Sequence, residues 1–172
     1  MERDLTMIIK NIVDFVYNCI KDIEEVLSAD SVVLKMKRSI QLDNYSCGAQ
    51  SVYTIFKFFN TDKTLNEIKE SLGTTETDGT GTKQILNYLI RNGLDVQIYE
   101  KATISSIQEA IRNGYPMLIT IDEGDHWVVI YGYSDDGIFV LDSSRKRFLN
   151  QWSYGEFIKR WDENWIAVVK EK

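Results

Sequence analysis

Hydrophobic positions recur along this chain with two different periods, and each change of period marks a change of element. Leu5, Ile8, Ile9, Ile12, Val16, Cys19, Ile23 and Val26 follow one another mostly in steps of three and four. That spacing predicts one amphipathic helix over residues 1–30. Residues 31–39 then alternate, with Val32, Leu34 and Met36 set against Val33, Lys35 and Lys37, the pattern of a strand with one wet face. Helical spacing returns over 46–59, where Ser46 is a candidate cap and Val52, Ile55, Phe56 and Phe59 share an apolar face. Thr64-Leu65-Asn66-Glu67 has the spacing of a capping box and opens a short helix that stops at Gly73.

Two more helices are predicted over 82–92, closed by Gly93, and over 103–113, ended by Gly114, with a strand over 94–99 between them. The last third is rich in strands. Pro116 precedes one over 117–121, and residues 126–133 form an apolar run that reads as a buried strand. The turn Ser134-Asp135-Asp136-Gly137 joins that run to a strand over 138–142, making a hairpin. A helix over 153–160, capped by Ser153, and a strand over 165–169 complete the pattern. Helices first and antiparallel strands after is an α+β arrangement.

Composition narrows the function classes. A chain of 172 residues predicts one domain with one sizeable core, here over residues 31–172. The helix over 1–30 is read as packed on the outside of that domain, with a dimerisation or partner helix as the alternative. Its seven acids against three bases argue against an anionic membrane surface. The whole chain carries 26 acidic and 20 basic residues, so it lacks the electrostatic footprint of a nucleic-acid binder. No apolar run is long enough to span a membrane, and the N-terminal stretch is interrupted by Asp14, Lys21 and Asp22, unlike a signal peptide. Two cysteines and one histidine exclude a disulfide scaffold and leave too few ligands for a Cys/His zinc site. A reducing, cytoplasmic location follows as the expectation, with no metal or organic cofactor implied.

The chemistry centres on Cys47. It stands where the loop Asp43-Asn44-Tyr45-Ser46 becomes a helix, and free amides at a helix N-terminus favour a thiolate. Gly48 beside it permits close backbone approach. The one imidazole of the chain, His126, opens a strand after the loop Asp122-Glu123-Gly124-Asp125. Asp142 lies sixteen residues further on. If the turn centres near Ser134 the two point to one face, and if it centres one residue later they become diagonal neighbours within about 7–8 Å. Asp142 would then orient the ring, as the third member of a triad does.

Taken singly, these residues have bland readings. A cysteine on an apolar stripe is a small hydrophobe, which is the reading of Cys19, and an Asp before Ser-Ser is a turn former. Together, Cys opening a helix, followed by His and Asp facing each other in a hairpin, is the papain-type arrangement. Gly79-Thr80-Gly81-Thr82-Lys83 lacks phosphate-loop spacing and reads as a loop before a helix. Arg145-Lys146-Arg147 reads as a solvated turn. Trp127, Trp152, Trp161 and Trp165 read as core or sheet-edge residues, with parity placing Trp127 on the face opposite His126.

The stretch Gln41 to Ala49, including Ser46-Cys47-Gly48, resembles the start of the papain-like peptidase domain of bacteriocin-processing transporters, the double-glycine leader peptidases. Gln41 stands six residues before Cys47, as in that family. His126-Trp127-Val128-Val129-Ile130 is similar to its His-aromatic-Val-Val-Leu strand, and Asp142 to its orienting acid. Leu65-Asn66-Glu67-Ile68 and the Gly79–Thr82 loop resemble the intervening segments, and the likeness covers about residues 32–170. Asp142-Ser143-Ser144 departs from the family's Asp-Pro-Ala, and residues 1–30 have no counterpart, so a free-standing relative is expected.

The resemblance implies a papain-like fold, a peptide or protein substrate and cysteine peptidase activity. Cys47 would be nucleophile, His126 acid and base, Asp142 orienter, and Gln41 an oxyanion donor together with the Cys47 N–H. Two rivals use the same residues. One is an acyl transferase or amide ligase; the other is a peptide-binding module without turnover, against which the intact set of four argues.

Overall fold

The apolar run His126 to Tyr133 forms the centre of a sheet that is covered on both faces. In a computed structural model of the protein, residues 31–144 and 151–172 are described. The expected helix over 1–30, with Cys19, and the turn at 145–147 lie outside the described residues. The strands are β1 (Val32–Val33), β2 (Leu94–Tyr99), β3 (Met117–Ile121), β4 (His126–Ser134), β5 (Gly137–Leu141), β6 (Gln151–Ser153) and β7 (Ile166–Glu171). The helices are α1 (Cys47–Phe58), α2 (Leu65–Leu72), α3 (Thr82–Arg91), α4 (Ile104–Arg112) and α5 (Tyr154–Arg160).

The strands form one antiparallel sheet in the order β2-β7-β3-β4-β5-β6, with β1 paired to the far half of β4. Trp127 and Val129 point to one side, where Ala49, Val52, Ile55 and Phe56 of α1 pack with α2 and α3. Val128 and Ile130 point to the other, against Ile107 and Ile111 of α4 and Phe157 of α5. Burial on both faces is why β4 lacks polar alternation. The antiparallel sheet with flanking helices agrees with the α+β expectation.

Capping chemistry places several helices as the sequence predicts. Thr64 and Glu67 form a reciprocal capping box on α2, and Gly73 takes the left-handed conformation that ends it. Ser153 accepts from the Glu156 N–H at the start of α5. Ser46 differs from expectation: its side chain makes no cap bond on α1. Asp43 acts instead, its Oδ1 accepting from the N–H groups of Tyr45 (3.2 Å) and Ser46 (2.8 Å).

The strand expected over 31–39 shrinks to two residues. The Leu34 N–H donates to the Tyr131 carbonyl, and the Met36 N–H then turns back onto Leu34, so the chain leaves the ladder. Leu34 and Met36 pack into opposite cores, which reproduces an alternating pattern without a strand. β6 was not anticipated, because three residues carry too little periodicity to register.

The β4–β5 hairpin contains the decisive irregularity. Gly132 pairs with Phe139, but the next pair is Ile130 with Val140, so Tyr131 is an extra residue, a β-bulge. Extending the register past Leu141 sets Asp142 across from Val128 and diagonal to His126, on one face. Without Tyr131 the register would slip by one and turn Asp142 to the other face.

Candidate active site

Three side chains from separate elements converge at the end of the sheet. Cys47 is the first residue of α1, His126 the first of β4, and Asp142 immediately follows β5. His126 Nε2 donates to Asp142 Oδ1 at 2.8 Å. The imidazole also stands beside the Cys47 thiol, close enough for each to shift the other's titration. Since Nε2 is engaged by Asp142, Nδ1 is the nitrogen left to meet the thiol. Asp142 is 1% exposed, and the same Oδ1 accepts from the Ser144 N–H (3.0 Å) and Ser144 Oγ (2.7 Å).

Helix α1 is fixed against β4 at this point. Ser51, one turn after Cys47, donates through Oγ to the Trp127 carbonyl at 3.3 Å. On the other side of the helix start, a Cβ on Gly48 would lie 2.8 Å from Thr80 Cβ and 3.0 Å from Ile85 Cδ1. Glycine is therefore required by close approach, as its place beside Cys47 suggests. Trp127 Nε1 donates to the Thr80 carbonyl at 3.0 Å and ties the Gly79–Thr82 loop to the sheet.

The electrostatics follow from these contacts. Burial alone would raise the Cys47 thiol. The adjacent His126 imidazole and its charge, with the N–H groups of Trp127 and Gly48, outweigh it, and the thiol ends below its ordinary value. Burial alone would lower His126, yet its bond to Asp142 and the neighbouring Cys47 lift it to about 9. Asp142, which burial would raise, is held at about 2, first by His126 and then by Ser144. All three directions favour a thiolate–imidazolium pair beside an ionised carboxylate.

Gln41 sits half-buried between two loops. Its backbone N–H donates to the Ser143 carbonyl (3.0 Å), and its side-chain oxygen accepts from Ser143 Oγ (2.6 Å). Its Nε2 donates to the Asp43 carbonyl at 2.8 Å, so its bonds run to Asp43 and Ser143 and none to Cys47. The loop is further held by Lys69, whose Nζ lies 2.9 Å from Asp43 Oδ2 and over the Tyr45 ring.

A cleft of about 270 Å³ opens on Cys47, lined by Asn44, Tyr45, Asp78, Thr80, Asp125 and Trp127 among others. Trp127 thus lines the cleft although it belongs to the face opposite His126, since the cleft lies on the α1 side of the sheet. Among the described residues, no group of three or more His, Cys, Asp or Glu could hold a metal ion. Among them too, no helix is long and apolar enough to cross a membrane.

A thiol, an imidazole and a carboxylate in this order, at a helix N-terminus beside a cleft, can activate sulfur for attack on a carbonyl. The family model described as the peptidase C39 family matches residues 35–172. The chain belongs to the peptidase C39 family. Membership places it among cysteine peptidases, and its fold is the papain-like fold of their domains. One similar protein is the lactococcin-G-processing and transport ATP-binding protein LagD of Lactococcus lactis, 29% identical over 73% of this chain. The chain spans 18% of the length of that curated relative.

Solved structures agree in fold. A double-glycine-motif protease from an AMS/PCAT transporter, crystallised with its leader peptide, has a TM-score of 0.68 at 17% identity, covering 84% of this chain and all of that one. The peptidase domain of Streptococcus ComA gives 0.68 at 16% identity, covering 79% of this chain and 98% of that one. A C39-like peptidase from Bacillus anthracis gives 0.66 at 12% identity, over 84% and 100%.

Sequence reasoning did not select Ser51, Thr80 or Ser144, and it set Trp127 aside. Ser144 had a usable signal, since Asp with Ser two residues later is a common self-bonding turn. Ser51 and Thr80 had none, because each acts on a partner at least 30 residues distant in the chain.

Proposed function

We propose that this C39 family member hydrolyses a peptide bond after a double-glycine leader, with Cys47 as nucleophile and His126 as general base and acid. Cys47 sulfur attacks the carbonyl carbon, forming the C–S bond while the carbonyl electrons move onto oxygen. His126 gives its proton to the leaving amine as the C–N bond breaks. Water, deprotonated by His126, then cleaves the thioester and frees the thiol. Asp142 holds the ring and stabilises its charged form. Gln41 spends one amide hydrogen on Asp43 and has a second for the oxyanion, alongside the Cys47 N–H.

The observation that carries this reading is the His126–Asp142 hydrogen bond of 2.8 Å, with the imidazole beside the Cys47 thiol at the mouth of a cleft. A thiolate nucleophile suits a reducing compartment, so action on the cytoplasmic side is part of the proposal. The test incubates the protein with peptides carrying Gly-Gly and maps the products by mass spectrometry, with Cys47→Ala as control. Cleavage after Gly-Gly that vanishes in the control supports the reading, and cleavage that persists in the control rejects it. Gln41→Ala should lower kcat about 10²–10³-fold with KM nearly unchanged. A raised KM with normal kcat would make Gln41 a binding residue.

A further inference from the structure

The turn that delivers His126 carries three consecutive left-handed residues, Asp122 (φ 56°), Glu123 (φ 64°) and Gly124 (φ 86°). Glycine adopts this conformation freely; Asp and Glu do so at a cost. Such backbone persists where its surroundings over-determine it. Within the turn the Asp125 N–H donates to the Asp122 carbonyl over a long 3.4 Å.

The restraint comes from the end of α5. The carboxylate of Asp162 accepts from two successive backbone groups, the Glu123 N–H at 2.9 Å and the Gly124 N–H at 2.8 Å. The Arg160 guanidinium grips the Asp122 carboxylate with Nε at 2.9 Å and Nη2 at 2.5 Å, while the Asp122 N–H donates to the Arg160 carbonyl at 3.0 Å. Between them Trp161 is buried and bridges Ile121, so both polar side chains spring from one core anchor. Ile121 pairs with His126, and Asp125 alone separates the left-handed residues from the imidazole.

We propose that Asp162, with Arg160, is a positioning residue for His126. Its carboxylate holds the 122–124 turn in its left-handed form and so sets how closely the imidazole meets Cys47. The proposal rests on the reading of Cys47 and His126 as nucleophile and base. Gly124 and Asp125 also wall the Cys47 cleft, so loosening the turn disturbs the base and the cleft together. A displacement near 1 Å at a reacting group costs about 10²-fold in rate.

The test is Asp162→Asn in the full chain, which keeps the side-chain size but replaces one acceptor by a donor. Alkylation of Cys47 by iodoacetamide across pH requires no substrate and reports thiolate formation directly. The variant should form its thiolate about one pH unit higher and react about tenfold more slowly near pH 6. On a cleaved peptide, kcat should fall about 10–100-fold with KM within about twofold. Adding Glu123→Gly to Asp162→Asn, which removes the left-handed penalty at that residue, should recover most of the alkylation rate.

A purely structural role would lower the melting temperature and leave the alkylation profile in place, and that result overturns the proposal. An impaired single variant that Glu123→Gly does not rescue also overturns it. If Asp162→Asn does not fold, Asp122→Asn replaces it, since Asn tolerates the left-handed region while losing the Arg160 ion pair. Its profile should move the same way, and coincidence with the unaltered protein rejects the clamp. Should the unaltered protein show no thiolate below the ordinary cysteine range, both the clamp and the nucleophile assignment fall. A normal profile there with no change in the variants sinks the clamp alone.

Discussion

Two loops do the same job by different means: residues 41–46 deliver Cys47, and residues 122–125 deliver His126. The first has a hydrogen-bonded frame of its own, to which Ser143 and Lys69 add anchors. Asp43 accepts from the N–H groups two and three residues later, and Gln41 donates to the Asp43 carbonyl. The second closes on a long Asp125 N–H to Asp122 carbonyl bond and is gripped by Arg160 and Asp162, each 38 or 39 residues further along the chain. A nucleophile loop built on local bonds can be read in sequence; a base loop held by a remote clamp cannot. The comparison also predicts that mutations near Cys47 act locally, whereas mutations in α5 reach the site from outside it.

The largest effect should come from His126→Ala, which removes the partner that both loops serve. Peptide cleavage should be abolished, and at pH 6 alkylation of Cys47 should slow about 10²–10³-fold, as the thiol returns to the ordinary cysteine range. Peptide mapping after limiting iodoacetamide should place the label on Cys47 ahead of Cys19 in the unaltered protein. Equal or faster labelling of Cys19 would reject Cys47 as the reactive thiol.

Asp142→Asn comes next. An amide cannot stabilise the imidazolium as a carboxylate does, so kcat should fall about 10²–10⁴-fold with the fold retained. His126, held at about 9 by Asp142 and Cys47, should drop toward 6.5, which NMR titration of the one imidazole would read directly. Full activity in Asp142→Asn combined with loss in Asp125→Asn would mean that the other nearby acid orients the ring.

The pH dependence of stability is a third test, made with Cys47→Ala so that the opposing titration of the thiol is removed. His126 remains paired with Asp142 and so raised above its unfolded value of 6.5. Its contribution is complete below 6.5 and disappears as pH rises through the folded value. Asp142, lowered from 3.8 to about 2, contributes above 3.8 and loses that as pH falls through 2. Melting temperature should therefore be highest between about pH 4 and 6.5, with at most about 3 kcal/mol lost on the alkaline side. A curve that stays flat up to pH 9 would remove the ion pair from the account.

The smallest effects should lie at Asp43 and Lys69, which brace the nucleophile loop without touching the reacting groups. Asp43→Ala deletes two backbone bonds and should cost about 1–2 kcal/mol, with alkylation slowed several-fold. Lys69→Ala leaves those bonds in place and loses an ion pair whose side chains are about a quarter exposed, worth about 1 kcal/mol or less by chemical denaturation. If Lys69→Ala proved as damaging as Asp162→Asn, the distinction between a self-held and a clamped loop would collapse.

Much of the architecture was legible from pattern. The capping box at Thr64, the stops at Gly73 and Gly114, the β4–β5 hairpin and the cap at Ser153 all stand where short-range chemistry puts them. Misreadings arose where an apparent period had a tertiary origin. Leu34 and Met36 alternate because they enter two different cores. Trp127 was assigned by parity to the correct face, yet that face is the one that α1 and the cleft occupy.

Sequence by itself determined the residue types of the site and the local turns that present them: Cys47 at a helix start with Gly48 beside it, and an Asp that folds its own loop. Those depend on neighbours within a few residues, where loop-closure entropy is small and the pattern is unambiguous. Tertiary structure decided whether His126 and Asp142 meet. The hairpin turn lies between Ser134 and Gly137, and a plain ladder from there would send the two side chains to opposite faces. The extra residue Tyr131 restores a common face, and its carbonyl is occupied by the Leu34 N–H of a segment almost 100 residues earlier. A bulge has no periodic signature because it is one residue out of step, and the contacts that accommodate it come from elsewhere in the chain.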